Sequence, residues 1–118
     1  MAKELAKALE LQGYSAAVIN PRFIKPLDRE LIARHARRAT AVVTFEDHVL
    51  MGGFGSVVLE ALSEMSIETP VIRIGWPDRF IEHGKVDQLR ARYSVSVEAA
   101  LEKLAPYLKR SSPRLVAQ

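Results

Sequence analysis

The spacing of apolar and polar residues changes period several times along the chain. Phe54, Val57, Val58, Ala61, Leu62 and Met65 fall at i, i+3, i+4, i+7, i+8 and i+11, one face of an amphipathic helix. Ahead of them, Ala41 to Phe45 is a continuous apolar, β-rich run of strand length. Glu46, Asp47 and His48 follow where a strand of an α/β sheet would end, and Gly52, Gly53 and Gly55 punctuate the turn into the helix. Val71 to Ile74 repeats the strand signature, and Ser15 to Asn20 (SAAVIN) gives a shorter strand whose ladder Pro21 ends. Helical spacing marks residues 3–12, with Leu5, Ala8 and Leu9 on one face and Gly13 as the stop. It recurs over residues 29–38, with Asp28 as N-cap and Leu31, Ile32 and His35 on or near the inner face. Arg79 to Gly84 reads as a short turn or helical piece, and Val86 to Tyr93 as a helix with Leu89 inward. Ser96 caps a final helix over residues 97–109 that carries Ala100, Leu101, Leu104 and Leu108, with Pro106 as a kink or early end.

The resulting order, α-β-α-β-α-β-α-α, predicts an α/β fold with a small, mostly parallel sheet between helical layers. Residues 1–110 make one domain, and residues 111–118 are expected to form a frayed polar tail. Three strands are few for such a sheet, and the pattern opens on a helix where a β-α unit opens on a strand. The chain has 118 residues, enough for one core. It has no cysteine, which excludes disulfides and thiolate metal sites and is compatible with a cytoplasmic setting. The net charge of +3 comes from Lys and Arg interleaved with acids, a solvated mixed surface rather than a nucleic-acid footprint. No apolar run approaches the ~20 residues of a membrane span. The opening MAKELAKALELQG is charged and amphipathic, unlike a signal peptide.

Three clusters could carry chemistry. Glu46, Asp47 and His48 offer two carboxylates and an imidazole, but without a second ligand pattern they are a weak metal or acid–base signal. Neighbouring strand residues also point to opposite faces, so contacts at an interface or anchoring of the loop are expected instead. Gly52-Gly53-Phe54-Gly55 opens a helix, and helix N-termini attract anions. The stretch lacks both the Lys-Ser/Thr of a P-loop and the spacing of a dinucleotide fingerprint. A steric role is expected, combining a positive-φ corner with close helix–sheet packing, and Phe54 anchors the helix start. A stand-alone anion- or nucleotide-binding module remains the competing reading. Asp78, Arg79, Glu82 and His83 lie beyond the third strand, where they either pair among themselves or meet another domain or subunit.

Four segments have a familiar form: VINPRFIKPLD at residues 18–28, VVTFEDHVLMGGFGSVVLEAL at 42–62, PVIRIGWPDRFIEHG at 70–84, and the closing helix. In this order and spacing the chain resembles the C-terminal domain of the 1-deoxy-D-xylulose-5-phosphate synthases, thiamine-diphosphate enzymes of the transketolase superfamily. The run from Pro77 to Gly84 is the most specific part of the match. The resemblance implies a transketolase C-terminal-like domain of an enzyme that condenses pyruvate with glyceraldehyde 3-phosphate for isoprenoid precursor synthesis. It implies that thiamine diphosphate and Mg²⁺ sit in other domains, with no catalytic, cofactor or metal residue in this chain, which alone would be inactive. It assigns the chain a structural, dimer-supporting role in a homodimer, with no nucleic-acid or membrane partner, in the cytoplasm or in a plant plastid. Glu46, Asp47, His48, Asp78, Arg79, Phe80 and His83 would then meet the other domains or the second subunit. In the resembling fold a central strand precedes the first helix and lies between residues 16–20 and 41–45. A sheet without that strand is expected to leave two exposed edges through which the chain self-associates.

Overall fold

The computed structural model describes residues 1–110. The elements are α1 (Ala2–Leu11), α2 (Arg29–Ala36), β1 (Val42–Val49), α3 (Phe54–Glu64), β2 (Val71–Trp76), α4 (Val86–Arg92) and α5 (Val97–Arg110). β1 and β2 pair in parallel, joined by α3. The fold is thus a small α/β layer arrangement, as the alternation predicts.

Local chemistry sets most element ends. After α1, Gly13 takes φ +86°. There Tyr14 N–H bonds to Leu9 O and Gly13 N–H to Glu10 O, each at 3.0 Å, closing a Schellman turn. The same pair of bonds ends α3 and α4, with Ser66 and Ser94 in the left-handed position. Asp28 Oδ1 accepts from Leu31 N–H at 3.0 Å, and Ser96 Oγ accepts from Ala99 N–H at 3.1 Å, capping α2 and α5.

Two apolar clusters flank the sheet. On one face Leu5 and Leu9 of α1 and Ala100 and Leu104 of α5 pack with Ile72, Ile74 and Val95. On the other, Ile32 and Ala36 of α2 meet Val58 and Leu62 of α3. Leu62, Ile74, Val58 and Val95 are the largest fully buried side chains. Each stabilises the fold by about 1.5–3 kcal/mol through burial. Arg29 pairs with Glu64 at 2.6 Å, and Thr69 Oγ1 donates to Ala36 O at 2.7 Å, which fasten α2 to the sheet connection.

The structure corrects several expectations. Residues 15–20 form no strand, because nothing lies beside them to complete a ladder; Val18 is 46% exposed. They do not hydrogen-bond to β1, so among the described residues the sheet is two-stranded and split from this segment. β1 runs through Glu46, Asp47 and His48 instead of ending before them. Residues 79–84 are irregular, not helical. His35 is exposed, one position off the buried stripe of Ile32, Ala33 and Ala36. α5 passes through Pro106 without ending. The expected tail, residues 111–118, lies outside the described residues.

Candidate functional site

The carboxyl end of the sheet is built on a bulge. Phe45 is in register with Ile74, and Val49 with Trp76, so Glu46, Asp47 and His48 on β1 face only Gly75 on β2. Such bulges re-aim side chains. A Cβ on Gly75 would lie 2.8 Å from Glu46 Cγ and 3.0 Å from His48 O, so the bulge folds over a position without a side chain. Leu50 N–H then bonds to Trp76 O at 2.9 Å and closes the bulge.

The bulge sends neighbouring residues to different fates. Glu46 turns inward and is only 7% exposed. Its Oε2 accepts from Gly55 N–H at 2.7 Å. Gly55 is the second residue of α3, and the N-cap Gly53 has no side chain to offer. Glu46 therefore caps this helix from the strand, with its charge at the positive end of the helix dipole. A Cβ on Gly53 would stand 1.8 Å from Glu46 Oε1 and 2.5 Å from Val49 O. One on Gly55 would stand 2.7 Å from both Thr44 Oγ1 and Arg73 Cδ. Gly52 is different: φ is +70° and nothing lies near its missing side chain. The corner thus combines a left-handed turn at Gly52 with crowding at Gly53 and Gly55. Arg73 Nη1 donates to Leu50 O at 3.2 Å and to Ser56 Oγ at 3.1 Å, while Ser56 Oγ donates to Leu50 O at 2.9 Å, which pins the loop. Phe54 is half-buried against the α2–α3 cluster.

Asp47 turns outward. Its Oδ1 accepts from Trp76 Nε1 at 2.7 Å, and Arg90 of α4 stands 3.7 Å from Oδ2. Trp76 meets Tyr93 edge-on, with ring centroids 6.1 Å apart, and the Arg79 guanidinium lies 4.9 Å from the Tyr93 ring centre. Tyr93 donates to Glu82 Oε2 at 2.5 Å, and Arg92 pairs with Glu82 Oε1. The Tyr93 hydroxyl, then the backbone and Arg92, hold the Glu82 carboxyl down to about 2; the bond to Glu82 in turn raises Tyr93 above its ordinary value. This chain of contacts ties the irregular 77–85 segment to both strands and to α4.

Of the residues read from the sequence, Asp47, His48, Asp78, Arg79, Phe80 and His83 are exposed on this rim, whereas Glu46 lies inside the domain. His48 Nδ1 is 3.0 Å from Val49 O. Phe80 is 93% exposed and Met51 70%, two large apolar side chains held out on the loops that follow the strands. The sequence reading missed Arg73, Trp76, Arg90 and Tyr93. An arginine inside the apolar run VIRIGW, and the only tryptophan of the chain at its end, were the signals available.

The Glu46 carboxyl thus already takes the Gly55 N–H at the α3 N-terminus. Among the described residues no group of three or more His, Cys, Asp or Glu side chains could hold a metal ion, and no helix is long and apolar enough to cross a membrane.

Residues 1–99 match the family model "Transketolase, C-terminal domain". The chain is 69% identical over 96% of its length to the 1-deoxy-D-xylulose-5-phosphate synthase of Acidobacterium capsulatum, covering 18% of that protein. It is 57% identical over 92% of its length to the synthase of Methylacidiphilum infernorum, covering 17% of it. It therefore spans less than a fifth of the length of these curated relatives. A solved structure described as an inactive β4 tetramer of a split-gene transketolase superposes with a TM-score of 0.76 at 35% identity, over 92% of this chain and 34% of that one.

Proposed function

The chain belongs to the transketolase C-terminal domain family, and from that premise we propose that it is the C-terminal, non-catalytic domain of a 1-deoxy-D-xylulose-5-phosphate synthase, supporting a homodimer. The whole enzyme would condense pyruvate with glyceraldehyde 3-phosphate on thiamine diphosphate, for isoprenoid precursor synthesis in the cytoplasm. The high identity to synthases, over nearly all of this chain and under a fifth of theirs, carries the reading. The rim supplies the means of support. Asp47 and His48 stand out from the end of β1, and Asp78, Arg79, Phe80 and His83 from the segment after β2, which the Trp76, Tyr93 and Glu82 contacts tie down, an arrangement suited to contact with another domain or the second subunit. The bare aromatic face of Phe80 is the natural anchor of such a contact.

The cofactor belongs elsewhere in this reading. The Glu46 carboxylate at the α3 N-terminus opposes binding of a diphosphate here. Two measurements test the proposal. Titration of this chain with thiamine diphosphate and Mg²⁺ should give no heat; micromolar affinity would refute the non-catalytic assignment. In the complete enzyme, Phe80→Ala or Asp47→Ala should weaken the dimer or lower turnover while costing this chain no more than about 1 kcal/mol of stability.

A further inference from the structure

The chain after β2 turns back into α4 around a small concavity of about 110 Å³. Lys85, Gln88, Leu89 and Arg92 fall at i, i+3, i+4 and i+7, so they share one face of α4. None of the residues of α4 is buried, and this face lines the concavity from one side. Glu82, His83 and Gly84 line it from the other. Gly84 sits close on Leu89, where a Cβ would stand 3.3 Å from Leu89 Cδ2, so these two give the lining its apolar part. The bonds from Tyr93 and Arg92 to Glu82 hold the two sides together.

The polar part of the lining is rich in donors. Lysine and arginine only donate, and the glutamine amide and the imidazole each can. Glu82 is the single carboxylate, and both its oxygens are engaged, Oε2 by the Tyr93 hydroxyl at 2.5 Å and Oε1 by Arg92. The side chains of His83, Lys85 and Gln88 make no hydrogen bond or ion pair among the described residues. Arg92 has five N–H groups, more than its pair with Glu82 uses.

We propose that this concavity binds a phosphate group, carried as the free ion or as the terminal phosphate of a small monoester. Three features select that chemistry. The unengaged polar groups include the Lys85 ammonium, which attracts an anion and repels a metal ion. The donors come from two sides, and a phosphate presents three oxygens around one centre where a carboxylate presents two in one plane. The volume is far below the ~300–1,000 Å³ that drug-sized ligands occupy, so a nucleotide is too large and a single phosphate with a short carbon stem is not. The site is separate from the glycine corner, whose helix end already holds the Glu46 carboxyl.

The test is a nuclear magnetic resonance titration of the isotope-labelled full chain near neutral pH, with sodium chloride holding the ionic strength constant. Inorganic phosphate and methyl phosphate should each shift the amide signals of His83, Gly84 and Lys85 and the side-chain amide of Gln88 along a saturable curve. Tighter binding of the methyl ester would assign the site to a monoester, and tighter binding of inorganic phosphate to the free ion; both support a phosphate site. Lys85→Gln should weaken binding about tenfold, the worth of one charge-assisted bond. Lys25→Gln, at an exposed lysine outside the concavity, should leave binding unchanged. Shifts that do not saturate, or that chloride alone reproduces, would overturn the proposal. So would equal affinity for acetate, undiminished binding by Lys85→Gln, or an equal loss from Lys25→Gln, which would mark a general surface-charge effect.

Discussion

Glu46 and Asp47 are neighbours with the same functional group, and the molecule uses them in opposite ways. Glu46 is buried beneath three glycines and holds a helix end; Asp47 is exposed and ties an indole and a guanidinium on the surface. The inner half of the rim is packed so closely that even a methyl group has no room at Gly53. The outer half holds its loop by contacts between partly exposed groups and leaves Phe80 free. The inner half therefore supports the fold, and the outer half is available for contact. Substitutions should separate the two by magnitude.

Gly53→Ala should be the most damaging. Its new methyl meets Glu46 Oε1 and the backbone carbonyl of Val49, and the second cannot swing away. The expected loss reaches or exceeds the ~1–3 kcal/mol of ordinary overpacking, read by urea denaturation of this chain. Glu46→Ala should cost about 2 kcal/mol in the same measurement, because it removes a charge-assisted bond and orphans the Gly55 N–H. Glu46→Gln, which keeps an acceptor oxygen, should recover part of that loss.

Gly52→Ala sharpens the comparison from the conformational side. Nothing crowds this position, so its cost should be the ~1–2 kcal/mol of placing an L-residue at positive φ, with no cavity or clash to add. On the outer half, Asp47→Ala should cost no more than about 1 kcal/mol, as exposed ion pairs do. Phe80→Ala should stay within about 0.5 kcal/mol of the parent. A large loss from Phe80→Ala would show that the loop is part of the core.

The smallest effect is the pH response of the outer network. Glu82 has a lowered carboxyl value, so its contribution is complete above its ordinary value of 4.5 and is lost as pH falls through about 2. Tyr93 is raised, so its contribution is complete below its ordinary value of 10.0 and is lost as pH rises through the higher folded value. The fluorescence of Trp76, which touches Tyr93, should be flat between these limits and change outside them. Tyr93→Phe should move the acid limb upward, because the hydroxyl is the largest cause of the Glu82 shift.

Much of this was legible in the chain. The helical periods located α1, α2, α3 and α5, and Asp28, Ser96 and Gly13 marked their ends, because caps depend on residues three or four positions apart. The glycine run announced a corner with both a left-handed turn and close packing. The strand assigned to residues 15–20 was not realised. Apolar composition alone makes no strand, since its hydrogen bonds come from a neighbour that sequence-local reasoning cannot place.

The sequence by itself thus determined the α/β alternation, the amphipathic faces and the family resemblance. All of these rest on side-chain type and short spacing. Tertiary structure alone decided that Glu46 turns inward while Asp47 turns outward, since three residues of β1 must pass over the single Gly75. It also decided that Trp76, Tyr93, Arg79 and Glu82 form one network. Those facts depend on residues far apart in the chain meeting in space, and pairing of that kind leaves no local pattern to read.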